Sequence, residues 1–486
     1  MLNNRIQTTG KWKKRCAAWL LALTLILSFP SAVYAEDQSV TDDLFYEVRQ
    51  LLQNYHLSGI SESELLEAAI SGMIDRIGDP YTIYMPPQEW DEYQDAIEQN
   101  YVGIGIRLGE DANGVYAVEV FPGSPAEEAG ILGGDYIVAI NGESTISKTT
   151  DEIISMMSGE ENTTVVVTVS RSGGESTYTL TRRSIQIPTV EGKWIEDGYG
   201  YIKISSFSRD ADKKFEELMI KMKGKYIKGL VIDVRDNPGG YLETVAYIAG
   251  EFIDNGPVLY ARYNDGTENP VSIMNGFTVD FPVVILVNEN SASGSEVLAG
   301  ALKDYEAARV IGTQTYGKGS VQTLYTLSNG GVLKVTTQEY MTPLRNPVNG
   351  VGITPDIVVQ GSVAQLLTGF REAGLTNLTV KTTVQGRVII NGVNFNDSLP
   401  YVTRDNRVYV HSRVLGALAG LNVEWDSQNG QVVLTKDNIR LAFDVKSPFV
   451  YREKGMTYID LSSFAGQMNQ FQWSYDNNQL TMSING

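Results

Sequence analysis

Two short, nearly uninterrupted apolar runs set the strongest limit on the fold of this chain. Residues 229–234 read GLVIDV and residues 283–288 read VVILVN. Neither alternates apolar with polar, so neither suits a sheet with one wet face. Each must be a strand covered above and below. Helix-length segments separate them, which makes residues 187–360 an alternating strand–helix core. The pattern differs on either side. Residues 40–98 show helical spacing at Leu44, Val48, Leu51 and Leu52, and Ser61 with Glu64 makes a capping box ahead of Leu65, Leu66, Ala69 and Ile70. From Tyr101 the spacing is that of short alternating strands, with turns at Asn113-Gly114 and Asn141-Gly142. The expected fold class is multidomain α+β.

The start of the chain reads as an export signal. Arg5, Lys11, Lys13, Lys14 and Arg15 precede a 14-residue apolar run, 16–29, that ends at Pro30. Val33-Tyr34-Ala35 then offers small residues where signal peptidase reads. A bilayer span needs about 20 apolar residues, so a cleaved signal (1–35) is expected, with an uncleaved membrane anchor as the alternative. The protein would be exported across the bacterial cytoplasmic membrane to the extracellular space or cell envelope. Its only cysteine, Cys16, lies in this run, which excludes an intrachain disulfide and a Cys-rich zinc site. A net charge of −19 argues against nucleic acid as a partner. The two histidines, His56 and His411, stand near opposite ends, so hydrolytic chemistry in the middle of the chain must proceed without histidine.

Within the core, the apolar run 283–288 leads through Glu289-Asn290-Ser291-Ala292-Ser293-Gly294-Ser295-Glu296 into the helical VLAGALKDY. A serine on such a strand-to-helix turn has the positive end of a helix dipole beside it. Its base must be a lysine or a carboxylate. Lys318 stands 25 residues on, between Gly317 and Gly319, where burial would lower its pKa towards neutrality. Gly239 and Gly240, after the first apolar run, can present a backbone N–H to a developing oxyanion, and the N–H of Gly294 supplies a second donor.

Upstream, Tyr101-Val102-Gly103-Ile104, Pro125-Ala126, Ala129-Gly130-Ile131 and the stretch 134–142, followed by a helix at 150–157, together resemble a PDZ domain. Such a glycine loop offers unpaired N–H groups to a C-terminal carboxylate. Tyr101, Val102, Gly103 and Ile104 are the preferred loop, and the overlapping 103–106 is the alternative.

Together with GMIDRIGDPYTIYM, VIDVRDNPGG, NSASGSEVLAGALKDY, GTQTYGKGSVQT and GVGITPDIVV, these motifs resemble the carboxyl-terminal processing peptidases over about 44–359. These are PDZ-containing Ser/Lys endopeptidases. The resemblance implies Ser293 as nucleophile, Lys318 as general base and Gln322 as the residue orienting it. It implies no cofactor and no metal, and protein substrates with unstructured C-termini as partners. A homodimer contact through the N-terminal helices is a further expectation. Gly294 departs from the family's common Ala, with little consequence, since only its N–H is needed. The expected divisions are a helical arm (36–98), a PDZ domain (99–185), a β-sheet-rich mixed α/β serine protease core (186–362), a linker helix (363–375) and an α+β repeat domain (376–486). In the last, RVYVHSRVLGALAGLNVEWDSQNGQVVLT from Arg407 matches MTYIDLSSFAGQMNQFQWSYDNNQLTMSI from Met456, pairing Tyr409 with Tyr458 and Trp425 with Trp473, aromatics expected in the core. This region resembles the copper amine oxidase N-terminal-like domain of bacterial envelope proteins, which implies a cell-envelope component as partner. With His411 as its one strong candidate ligand, copper itself is doubtful.

Overall fold

The computed structural model describes residues 38–111, 113–195 and 198–485. The basic start, apolar run and expected cleavage site lie outside them. The chain divides into two compact units, Met1–Gly78 and Asp79–Gly486.

The first unit holds helices Gln38–Tyr55 and Glu62–Ile77. The second starts where its sequence dictates. The Ser61 hydroxyl accepts the Glu64 N–H, the Glu64 carboxylate takes the Ser61 N–H at 2.8 Å, and Gly78 ends the helix at φ 71°. Leu44, Phe45, Val48, Leu51 and Leu52 of the first helix are exposed.

The second unit is organised around a sheet in the order Val190–Ile195, Tyr199–Ile204, Gly229–Asp233, Val283–Val287, Arg309–Gly312, Ile357–Val358. The first pairing is antiparallel and the rest are parallel. Both apolar runs are fully buried central strands. Ile202, Leu230, Ile232, Val283, Ile285 and Val310 point to one face and pack with helices Ala211–Lys223, Leu242–Ala249 and Gly294–Asp304. Tyr201, Val231, Val284, Leu286 and Ile311 point to the other, against helix Ser362–Glu372 and the C-terminal strands. That helix falls in the segment read as a linker. It is buried along most of its length because the sheet lies on one side of it and the repeat region on the other. A second, antiparallel sheet joins Ile83–Met85, Val332–Met341, Gly256–Tyr263 and Glu268–Ile273, with Ser320–Thr326 also paired to Val332–Met341.

Strands Ile106–Asp111, Gly114–Val120, Tyr136–Ile140, Thr164–Arg171 and Gly174–Thr181 form the PDZ-like antiparallel sheet, flanked by helix Thr150–Met157. Val165, Val167 and Val169 are buried in strict alternation, as a half-covered strand requires. Asn141 and Gly142 both take positive φ (50° and 81°), the twist a two-residue hairpin favours.

The C-terminal repeat is structural. Arg407–His411, Ser412–Ala419, Asn422–Asp426 and Gln431–Lys436 have counterparts in Met456–Asp460, Leu461–Gln467, Phe471–Asp476 and Gln479–Ile484. The two leading strands pair antiparallel, with His411 opposite Tyr458. Tyr409 and Tyr458 are buried, but Trp425 is 52% exposed beneath the Arg452 guanidinium, because its strand Asn422–Asp426 lies at the edge of a three-stranded sheet.

Candidate active site

Ser293 occupies the turn between strand Val283–Val287 and helix Gly294–Asp304, with φ 53° and ψ −113°. Non-glycine residues avoid that conformation, and such strain persists only where the surroundings enforce it. Here they do. The Ser291 hydroxyl donates to the Val234 carbonyl, the Ala292 N–H donates to the Asn237 carbonyl, and the Ser295 hydroxyl donates to the same oxygen at 2.9 Å. The serine turn is thus fastened to the glycine turn that follows the neighbouring parallel strand.

The glycine turn passes close beneath the serine. A Cβ on Gly239 would come 2.9 Å from that of Ser293, so only glycine fits. The Gly239 N–H donates to Asn237 Oδ1 at 2.8 Å and is therefore engaged. Among the described residues, no acceptor takes the N–H of Gly240 or of Gly294. Those two donors remain available beside Ser293.

Lys318 sits in the loop before strand Ser320–Thr326. A Cβ on Gly319 would lie 2.0 Å from the Asn349 nitrogen, so glycine here lets two backbones approach closely. The Lys318 amine is half-buried and 5.0 Å from the centre of the Tyr81 ring. Burial holds its pKa below the usual lysine range, and the charge of Lys334 pushes the same way. The Glu296 carboxylate opposes both.

One buried carboxylate joins the serine and lysine loops. Glu296 accepts the N–H groups of Ser293 (2.9 Å), Gly317 (2.7 Å) and Lys318 (2.8 Å), and the hydroxyl of Thr315 (2.6 Å). The buried Tyr340 hydroxyl is shared between the carbonyls of Ser293 and Lys318, at 3.1 and 2.9 Å. Sequence reasoning assigned neither residue a role, although Ser293 to Glu296 has the S-x-x-E spacing of a capping box. Ser293 and Lys318 share this anchorage, but their Oγ and Nζ atoms form no hydrogen bond with each other among the described residues. Gln322 donates instead to Ser320 Oγ and Thr336 Oγ1, at 2.9 and 3.2 Å, and forms no hydrogen bond to Lys318 among the described residues.

In the PDZ-like region, Tyr101, Val102, Gly103, Ile104 and Gly105 line an apolar cavity of about 250 Å³ with Ile106, Leu108, Ile154 and Met157. Tyr101, Val102 and Gly103 belong to strand Asn100–Gly103, which pairs with Arg183–Gln186. Ile104 is buried, and Gly105, at φ 81°, leads directly into strand Ile106–Asp111. The head of that strand is therefore the overlapping alternative, 103–106. In the C-terminal region His411 is buried edge-on against Tyr458, and burial with the Arg413 charge pushes its pKa down to about 4. No three His, Cys, Asp or Glu side chains gather there as metal ligands among the described residues, so the residues do not fit copper.

Family models match the chain in four places: peptidase family S41 (198–359), a PDZ domain (116–171), the activating protease CtpB N-terminal domain (34–89) and the copper amine oxidase N-terminal domain (388–464). A carboxy-terminal-processing protease of Bartonella bacilliformis is 30% identical over 365 residues, 73% of this chain and 83% of that protein. A probable CtpA-like serine protease of Staphylococcus aureus is 34% identical over 315 residues, 64% of this chain. The chain spans only 63% of the length of that relative. A solved photosystem II D1 C-terminal processing protease is 26% identical with a TM-score of 0.43, covering 67% of this chain and 95% of its own. The chain belongs to the carboxy-terminal-processing protease family.

Proposed function

We propose that this protein is an exported serine endopeptidase that uses Ser293 as nucleophile and Lys318 as general base, and cleaves proteins near unstructured C-termini held by its PDZ domain. The observation that carries the reading is the shared anchorage of both loops on Glu296, beside a half-buried lysine amine whose pKa burial lowers. The Lys318 amine takes the Ser293 proton as Oγ bonds to the scissile carbonyl carbon. The resulting oxyanion is received by the N–H groups of Gly240 and Gly294, at the positive end of the nucleophile helix. The C–N bond then breaks, and the departing amine takes the proton from Lys318. Water repeats the sequence on the acyl-enzyme and frees Ser293. Gly239 supports the turn through its bond to Asn237, and Gln322 supports the lysine loop through Ser320.

The apolar groove headed by 103–106 would seat a substrate tail beside strand Ile106–Asp111, with its carboxylate at the glycine loop. Exposed apolar side chains on helix Gln38–Tyr55 support a homodimer contact there, and the C-terminal region is proposed to meet a cell-envelope component. The test of the enzyme is to incubate wild type, Ser293→Ala and Lys318→Ala with an unstructured protein and map the fragments by mass spectrometry. Internal cleavage by wild type alone is expected. Fragments from Lys318→Ala at the wild-type rate would remove the dyad.

A further inference from the structure

The half-buried Lys318 and the buried Lys334 place their amines near enough to repel each other in the protease core, each against an aromatic ring from the same segment. The Lys318 amine is 5.0 Å from the Tyr81 ring centre, and the Lys334 amine is 4.8 Å from that of Tyr93. Tyr81 precedes strand Ile83–Met85, and Tyr93 lies on helix Pro87–Glu98. Strand register explains the arrangement. Ile83 is opposite Lys334 on one side of strand Val332–Met341, and Gln322 is opposite Thr336 on the other. Lys334 and Thr336 lie on one face of that strand, before a register shift that skips Thr337. Thr336 accepts the Gln322 amide, and Tyr340, beyond the shift, donates to the Lys318 carbonyl.

The aromatic cover is pinned in place. Asp79 accepts the Tyr81 N–H at 3.1 Å and the Thr82 hydroxyl at 2.6 Å, and Thr82 Oγ1 takes the Thr336 N–H at 3.1 Å. The Tyr81 phenol lies beside that of Tyr316. We propose that Tyr81 and Lys334 are positioning residues for the reaction: the Tyr81 ring seals the Lys318 amine from water, and the Lys334 ammonium, with no ion-pair partner among the described residues, opposes a second positive charge beside it. This rests on the Ser293–Lys318 reading above.

The charged and titratable groups around the two amines fix the direction. Lys318 faces Lys334, the Glu296 carboxylate and the phenols of Tyr81, Tyr316 and Tyr340. Burial and Lys334 favour its neutral form, and Glu296 favours the charged one. Lys334 faces Tyr93 and Asp79. Burial favours its neutral form and Asp79 its ammonium. Repulsion between the two amines is mutual, so they hold one proton more readily than two. Four hydrogen bonds already engage the Glu296 charge beside Lys318, so that proton stays on Lys334 next to Asp79. A ring face also attracts an ammonium. Here it excludes water at the same time, and lost hydration is the larger effect on a half-buried amine.

The test uses the full chain and two readouts. One is the pH dependence of cleavage of a short peptide. The other is the pH dependence of Lys318 acetylation by acetic anhydride in a Ser293→Ala background, followed by peptide mass spectrometry, which needs no activity. Tyr81→Ala and Lys334→Met are expected to move both half-points to higher pH by about one unit or more. Tyr81→Phe and Lys334→Arg should bring them back. Rates that fall with unmoved half-points overturn the proposal, since a merely structural role has that signature. If Tyr81→Ala does not fold, the Lys334→Met acetylation curve decides. The two readings fail separately. Wild-type cleavage by Lys318→Ala removes the dyad, whereas Lys318-dependent cleavage with an unmoved Lys318 titration removes only the roles of Tyr81 and Lys334.

Discussion

At Glu296 a buried carboxylate takes three backbone N–H groups and one hydroxyl from the two loops that carry the candidate nucleophile and base. A hydrogen bond to a charged group contributes about 1.5–3 kcal/mol, and a buried donor left unpaired costs a similar amount. Glu296→Ala should therefore destabilise the protein by about 3 kcal/mol or more, read from urea unfolding. Glu296→Gln turns an amide NH₂ towards N–H donors. It should keep the fold while lowering the cleavage rate at least about tenfold, equivalent to about 1.4 kcal/mol. A wild-type rate in Glu296→Gln would show that the carboxylate does not set the loop geometry. Ser293 and Lys318 were legible as candidates because a serine on a strand-to-helix turn and a lysine between glycines are local patterns, and the absence of histidine left few bases. The partners of Gln322 were not legible. They depend on its register opposite Thr336, which no local spacing reveals.

Among the elements, the PDZ-like strands and the Asn141-Gly142 hairpin follow from alternation and turn chemistry, so they could be read directly. The position of the proposed carboxylate loop could not. Two overlapping glycine motifs differ only in which one leads into strand Ile106–Asp111; the strand begins at Ile106, directly after Gly105 with its positive φ, so 103–106 stands at its head. A side chain at Gly103 would meet nothing within 4 Å, whereas one at Gly105 would collide with Ser124 at 2.1 Å. Gly103→Trp is therefore suited to fill the groove without disturbing the fold. It should slow cleavage of a tail-bearing protein substrate by about tenfold or more, and spare a short peptide that reaches Ser293 unaided. Amidating the substrate C-terminus should have the same effect on wild type by removing the charge the loop is proposed to hold. Equal rates for free-acid and amidated substrates would mean that the groove does not read a carboxylate.

On the scale of the molecule, the C-terminal repeat region shares a core with the protease sheet. Tyr201 of the sheet, Phe370 of helix Ser362–Glu372 and Phe395 of strand Val393–Ser398 form one aromatic cluster, with ring centres 5.1 to 6.3 Å apart. Sequence patterning marked the repeat and the helix before it, but not that the helix is roofed, because amphipathicity does not say what covers a face. A chain ending near residue 376 would expose that apolar face, and is expected to be insoluble or to lose cooperative unfolding. Phe395→Ala should destabilise the sheet by about 3–5 kcal/mol, which thermal unfolding would show as an earlier transition in the protease core. A truncated chain that melts like the intact one would make the repeat region a separate module.

The dyad itself is tested most directly by trapping the covalent intermediate. Wild type, Ser293→Ala and Lys318→Ala would each be quenched in acid during turnover of a peptide substrate, over a range of pH, and the mass of the peptide containing residue 293 measured. An acyl adduct on Ser293 is expected in wild type only. Its rate of formation should rise with pH through a group that titrates below about 10.4, because burial and a neighbouring cation lower the Lys318 pKa and only the neutral amine accepts a proton. Chelators should leave that rate unchanged. An adduct that forms equally fast in Lys318→Ala, or appears on a residue other than Ser293, would contradict the account.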